Sequence, residues 1–264
     1  MTAVIRMVRP TQAKTFSEYV SLHIVPYIEA QISQVKLNSL TKSLTQQRRG
    51  KGQRRTRVGD DNTRDWNSGF LKYEENKKEL FSFISTHISK ADMGGKLLLS
   101  IRFETVLSNK HCDITTLQPC NHSEADTRII LHLAHAATQG HTTACVCTVD
   151  SDVVVLAIRF FESLSLSELW VDFGTGRNYR DIRIHTLYSD IGLLKSLALP
   201  LFHSLTGCDT TSQLFGCGKK TAWAAWTSMP DLTDTLVALT RDPHLFIGWV
   251  CIYAARQALC DIHV

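Results

Sequence analysis

Five carboxylates stand in three short clusters in the second half of the chain. Glu124 and Asp126 form the first cluster, Asp150 and Asp152 the second, and Asp209 the third. Mg²⁺ and Mn²⁺ favour oxygen ligands, and two such ions can clamp a phosphodiester between an attacking water and the leaving oxygen. Because one helix or strand cannot surround two ions, carboxylates must converge from several elements. All five residues are therefore candidate catalytic and metal-ligating residues.

The second cluster follows a predicted strand. Residues 142–149 are apolar and β-rich, which is typical of a buried parallel strand, and residues 153–161 predict a helix packed on the sheet. Asp150 would then lie at the carboxyl end of a strand, where open α/β sheets bind ligands. Asp152 would lie near the helix start, so an alternative interpretation is that it only caps the helix.

The first cluster precedes a helix predicted over residues 127–137. Acids in a first turn commonly complement the helix dipole, so capping is also the alternative for Glu124 and Asp126. The third cluster follows an apolar helix over residues 197–205, which we expect to end at Gly207 in the C′ position. Asp209 comes directly after that end.

A glycine- and lysine-rich segment follows the third cluster. Gly216 and Gly218 would bring backbone N–H groups close to a phosphate, and Lys219 and Lys220 stand at the start of a helix predicted from Thr221. This arrangement suits a grip on a nucleic-acid backbone. It is not a nucleotide-binding P-loop, because a second lysine stands between the glycine and the lysine of that motif.

A basic segment occupies residues 42–58 in the first half. Like-charged blocks are usually solvated loops, and some are localisation signals. The functional alternative is an arch that contacts phosphates over an active site. Its candidate nucleic-acid-binding residues are Arg48, Arg49, Lys51, Arg54 and Arg55.

Taken in order, the three clusters resemble the PIN-like nuclease superfamily, in its flap-endonuclease-type branch of structure-specific 5′ nucleases. The segments from His122 to Arg128 and from Leu205 to Thr211 are also similar to a group of uncharacterised animal proteins, which we expect to derive from mobile elements. The resemblance extends from about Ala3 to about Trp226. It is carried by the ordered set of three motifs rather than by any one of them.

The resemblance implies an α/β fold with a twisted, mostly parallel sheet, helices on both faces and a helix–two-turn–helix element over residues 197–227. It implies one nuclease-type domain over residues 1–240, with 42–58 as the arch, followed by a helical tail over 241–264. It further implies a metal-dependent endonuclease or 5′ nuclease. Its five carboxylates would hold two Mg²⁺ or Mn²⁺ ions, and its partner would be nucleic acid, with DNA expected.

Two acids of active family members have no counterpart here. Such members carry one on a strand near the N-terminus and one on a second strand just before the arch. The first apolar run of this chain has no acid before it, and residues 35–44 contain neither an Asp nor a strand-like run. We therefore expect an incomplete sheet that lacks a central strand. The alternative function is a non-catalytic, nucleic-acid-binding relic of a PIN-like nuclease.

The composition fits an intracellular protein. Because the expected partner is nucleic acid, we expect the protein to be nuclear. Of 264 residues, 44% are hydrophobic, which is enough for a sizeable core, yet no apolar run reaches membrane-spanning length and no signal-peptide pattern opens the chain. The eight cysteines stand mostly at apolar positions, as free thiols do. Metal-capable His111, Cys112, Cys120 and His122 match no common zinc spacing, and a zinc-stabilised interaction module is a third possibility.

Overall fold

The structure is a computed structural model that describes residues 5, 8–32, 37–38, 70–120, 125–209, 211 and 218–242. The described part is a mixed α/β protein, which confirms the predicted class at that level. The basic segment 42–58, Glu124, Gly216 and most of the predicted tail, residues 243–264, lie outside the described residues.

The first helical stretch begins with a capping box and is interrupted before its proline. Thr15 accepts a hydrogen bond from the backbone N–H of Glu18, whose side chain returns to the Thr15 N–H, so the pair forms a capping box. Helix α1 (Phe16–Tyr19) passes through a π-helical segment (Val20–Ile24) into α2 (Val25–Ile32). Because Pro26 has no N–H and its ring would crowd the carbonyl four residues earlier, a wider turn there is physically reasonable.

Helix α3 (Glu74–Ile88) contributes to a hydrophobic cluster that it shares with the first helical stretch. Leu80, Ile84 and Ile88 repeat every fourth residue along one face and are fully buried. They cluster with side chains from the first helical stretch, and Phe81 and Phe83 pack on that cluster while staying partly exposed. The next elements are the antiparallel strands β2 (Leu99–Arg102) and β3 (Thr105–Ser108), followed by α4 (Ala125–Thr138).

A four-stranded sheet contains β1 (Leu37–Asn38), β4 (Thr143–Thr148), β5 (Glu168–Phe173) and β6 (Arg180–Arg183), in that order. Strands β1 and β4 are parallel, with Leu37 opposite Val146 and Asn38 opposite Cys147. The expectation that no strand lies within residues 35–44 is therefore wrong. A strand of two residues is held by backbone hydrogen bonds to its neighbour, so it needs no apolar run.

By their internal contacts the residues divide into two compact units. Unit 1 comprises Met1–Val149 and Asp172–Arg180, and unit 2 comprises Asp150–Val171 and Asp181–Val264. The single domain over residues 1–240 stays a prediction.

Unit 2 is built on α5 (Ser151–Phe160), the long helix α6 (Ile184–Leu205), α7 (Lys219–Ser228) and α8 (Leu232–Arg241). Gly192 breaks α6 with φ 77° and ψ 168°. Gly207 follows the end of α6 with φ 96°, in the C′ position that the sequence predicts. Helices α6 and α7 are the two helices of the predicted helix–two-turn–helix element, whose connection lies mostly outside the described residues. None of the helices that the structure describes is both long and apolar enough to cross a membrane.

Candidate functional site

Asp150, rather than Asp152, caps helix α5. The Asp150 backbone is extended, with φ −106° and ψ 125°, and its Oδ1 accepts the backbone N–H of Asp152 at 3.0 Å. This is the geometry of an N-cap carboxylate, which satisfies one of the unpaired amides of the first turn. The side chain is buried, with 8% of its surface exposed. The sequence interpretation placed the cap two residues too late, because strand β4 ends at Thr148 and α5 begins at once at Ser151.

Asp152 instead pairs with a histidine that sequence reasoning missed. Its Oδ1 lies 2.9 Å from Nε2 of His203, near the end of α6, and the carboxylate is the more exposed of the two side chains. The two residues are 51 positions apart. The one available signal was a lone histidine in an otherwise apolar helix segment, and such a residue gives no indication of its partner.

Lys219 joins the start of α7 to the end of α6. Its Nζ donates to the His203 carbonyl at 3.1 Å, to Oγ1 of Thr206 at 3.2 Å and to the Gly207 carbonyl. These three acceptors match the three N–H bonds of an ammonium group. A cation at this position also complements the negative end of the α6 dipole. Desolvation lowers the pKa of Lys219, while the nearby Cys208 and Asp152 act in the opposite direction.

The other predicted phosphate-contacting residues of this segment lie at the start of α7. Gly218 is the N-cap, with φ −78° and ψ 159°, and as a glycine it has no side chain that could cap the helix. Lys220 is exposed in the first turn. Anion binding by the Lys220 side chain and the first backbone amides of α7 therefore stays a prediction. The Lys219 side chain, by contrast, donates its hydrogen bonds to acceptors of the protein itself.

The remaining predicted acids belong to different parts of the chain. Asp209 is exposed in the loop after α6, beside a turn in which Cys208 and Thr211 exchange backbone hydrogen bonds. Asp126 lies in the first turn of α4 in unit 1 and is partly buried. Glu124 lies outside the described residues.

The donor types of Asp150, Asp152 and Asp209 suit a hard divalent cation. Within the described residues of unit 2, however, these three do not form a group whose ligand atoms all lie within 4.8 Å of one another. The group that meets this criterion in the described part of the chain consists of Cys145, Cys147 and Asp172, in unit 1. The sequence interpretation took these two cysteines as apolar strand positions.

Arg128, from the motif that carries the family resemblance, has a structural role. Its guanidinium is buried and donates to the carbonyls of Phe103 at 2.6 Å and Cys120 at 2.9 Å, and to the Cys120 sulfur at 3.0 Å. These contacts satisfy a carbonyl of the turn between β2 and β3 and one of the loop before α4. Cys120, one of the four residues considered for zinc, is thus paired with an arginine.

His132, one turn further along α4, is held neutral. Burial lowers the pKa of His132 to about 4, and electrostatic interactions with His135 and Arg128 add to the shift. Below pH 6.5 the unfolded chain takes up a proton that the folded chain does not. Folding stability that is present at neutral pH is therefore lost as the pH falls from about 6.5 towards 4.

We expect the free energy of unfolding to fall by about 2 kcal/mol between pH 7 and pH 5 through His132 alone. The variant His132→Gln should lose this part of the pH dependence, and His141→Gln, at an exposed position just after α4, should keep it. Urea unfolding at the two pH values measures both. Equal pH dependence in His132→Gln and wild type would contradict the assignment.

Comparison of the chain with protein-family models, with curated proteins and with solved structures finds no match.

Proposed function

We propose that this chain is a nuclease-like protein that binds nucleic acid, with DNA as the first substrate to test, and hydrolyses its phosphodiesters with Mg²⁺ or Mn²⁺. The observation that carries the proposal is the placement of Asp150 and Asp152. They follow β4, a strand that runs parallel to β1, and they open the helix that comes next. Ligand sites of open α/β sheets lie at the carboxyl ends of such strands.

The finer fold belongs to the same proposal. The ordered motifs resemble the PIN-like superfamily, and the parallel pairing of β1 and β4 is what a mostly parallel sheet would contain. Helices α6 and α7, with Lys219 joining them, would form the two arms of a helix–two-turn–helix element. The nuclear location expected from the sequence rests on the proposed partner.

Asp150, Asp152 and Asp209 would be the ligands of the divalent cation in unit 2, because their carboxylates are oxygen donors of the preferred type, and binding would have to draw them closer together than they lie in the described structure. When bound, the cation would neutralise phosphate charge and lower the pKa of water. His203 would fix the direction of the Asp152 carboxylate through the 2.9 Å contact. Lys220 and the first amides of α7 would hold a neighbouring phosphate.

The test compares three aspartate-to-asparagine variants on flap DNA with Mn²⁺. Asp150→Asn keeps a good N-cap while removing the charge, and Asp152→Asn removes the charge beside His203. Asp234→Asn is the matched control, because Asp234 is an exposed first-turn acid of α8 in the same unit. We expect at least about 100-fold slower cleavage in the first two variants and unchanged cleavage in the control. Cleavage by Asp150→Asn at the wild-type rate would end the proposal.

The second candidate is a non-catalytic nucleic-acid-binding relic. Asn38 favours this candidate. It is the last residue of β1, the strand that precedes the basic segment. Active members of the resembled family carry an acid on the strand at that place, whereas this chain has an amide. This candidate predicts DNA binding that weakens steeply with salt and no Mn²⁺-dependent turnover. The same cleavage assay, run beside a binding titration at two salt concentrations, separates the two candidates.

A further inference from the structure

Two cysteines and a buried aspartate come together in unit 1. Cys145 and Cys147 are two residues apart on β4, so both side chains stand on one face of the strand, opposite the buried Ala144 and Val146. Asp172, near the end of β5, has 7% of its surface exposed. One ligand atom from each of the three residues lies within 4.8 Å of the other two, and the Cys147 sulfur is 3.5 Å from Oδ2 of Asp172.

The Cys147 thiol already donates a hydrogen bond to the carboxylate of Asp172, so a sulfur and an oxygen of the cluster are in direct contact. A divalent cation in the place of the thiol protons would be held by two sulfurs and one carboxylate oxygen.

We propose that Cys145, Cys147 and Asp172 form a binding site for a zinc-class divalent ion. A tetrahedral ion with Zn–S bonds of about 2.3 Å places its two sulfurs roughly 3.8 Å apart, which lies within the observed mutual reach. Three protein ligands leave the fourth position to a water molecule. The ion enters with two positive charges and the two thiols release two protons to solvent, so the net charge of the site does not change.

The ligand types select the ion. Thiolates are soft donors that favour zinc, whereas Mg²⁺ and Mn²⁺ favour oxygen. The site is therefore chemically distinct from the carboxylates of the proposed nuclease function and does not depend on that function. Because the ion binds the folded chain, it would connect β4 to the end of β5 and stabilise unit 1 by mass action.

Co²⁺ is the probe, because it occupies zinc sites and gives visible bands and a near-ultraviolet thiolate-to-cobalt band. The reduced, metal-stripped full chain is titrated with Co²⁺ and then with Zn²⁺. We expect one Co²⁺ per chain with the thiolate band, displacement by Zn²⁺, and protection of two thiols from alkylation by Zn²⁺ in the wild-type chain. The alkylation readout needs no substitution, so it holds even where a variant fails to fold.

Three variants assign the ligands. Cys147→Ser and Asp172→Asn should weaken Co²⁺ binding at least about 10-fold, whereas Asp92→Asn, at an exposed position elsewhere in unit 1, should leave it unchanged. Circular dichroism checks that each variant folds. The proposal is overturned if the wild-type chain shows no thiolate band and no thiol protection, or if the folded Cys147→Ser chain binds Co²⁺ as the wild type does.

Discussion

Replacing Trp226 by alanine should lower the free energy of unfolding by about 3–5 kcal/mol. Trp226 has 1% of its surface exposed and stacks on Phe202 with ring centroids 4.7 Å apart. Its Nε1 donates to Oγ1 of Thr233 at 3.0 Å, which joins α7 to α8. Alanine would leave a large cavity and remove the hydrogen-bond donor of a buried hydroxyl, and both effects destabilise the folded chain.

Trp223→Ala is the matched control for that prediction. Trp223 meets the same two rings edge-on, at 5.6 Å from Phe202 and 5.2 Å from Trp226, but it is only partly buried. We expect it to cost less than half as much as Trp226→Ala. Urea unfolding followed by circular dichroism gives both values. A loss below about 1 kcal/mol for Trp226→Ala would show that this aromatic cluster does not hold unit 2 together.

Replacing Gly174 by alanine should destabilise the chain by about 2–4 kcal/mol, because two effects add. Gly174 has φ +85°, which L side chains rarely adopt, and a Cβ built on it would lie 2.4 Å from the backbone oxygen of Asn178. Its N–H donates to the Thr148 carbonyl at 2.9 Å, so the backbone cannot move away without breaking that bond.

Gly140→Ala separates the two effects. Gly140 follows α4 in the same unit with φ +87°, and nothing lies within 4 Å of the position its Cβ would take. It should therefore show the conformational cost alone, about 1–2 kcal/mol. Thermal or urea unfolding of both variants measures the difference. If the two variants were equally stable, the close approach of Asn178 would carry no energetic weight.

The sequence predicted the features that depend on local chemistry. The end of α6 at Gly207 and the strand that became β4 were found because each depends on a few neighbouring residues. Strand β1 was missed because two residues carry no periodicity, and the strand is recognisable only through its hydrogen bonds to β4. Propensity cannot report a partner that lies more than a hundred positions away.

In the candidate sites, too, the features set by neighbouring residues were predictable and the contacts between distant residues were not. The location of Asp150 and Asp152 after a strand was predictable from the apolar run before them, but the pairing of Asp152 with His203 needed α5 and α6 to be packed together. The spacing of Cys145 and Cys147 on a predicted strand already placed them on one face. The third member, Asp172, became visible only when β5 was placed beside β4.

Lys219 gives unit 2 a fixed counter-ion of its own. Its ammonium group is anchored on the end of α6 and interacts electrostatically with Asp152. Any metal that approaches these acids therefore meets a charge that the polypeptide has already partly balanced, and the two cations repel each other. The chain thus limits how strongly this group of acids attracts dissolved ions.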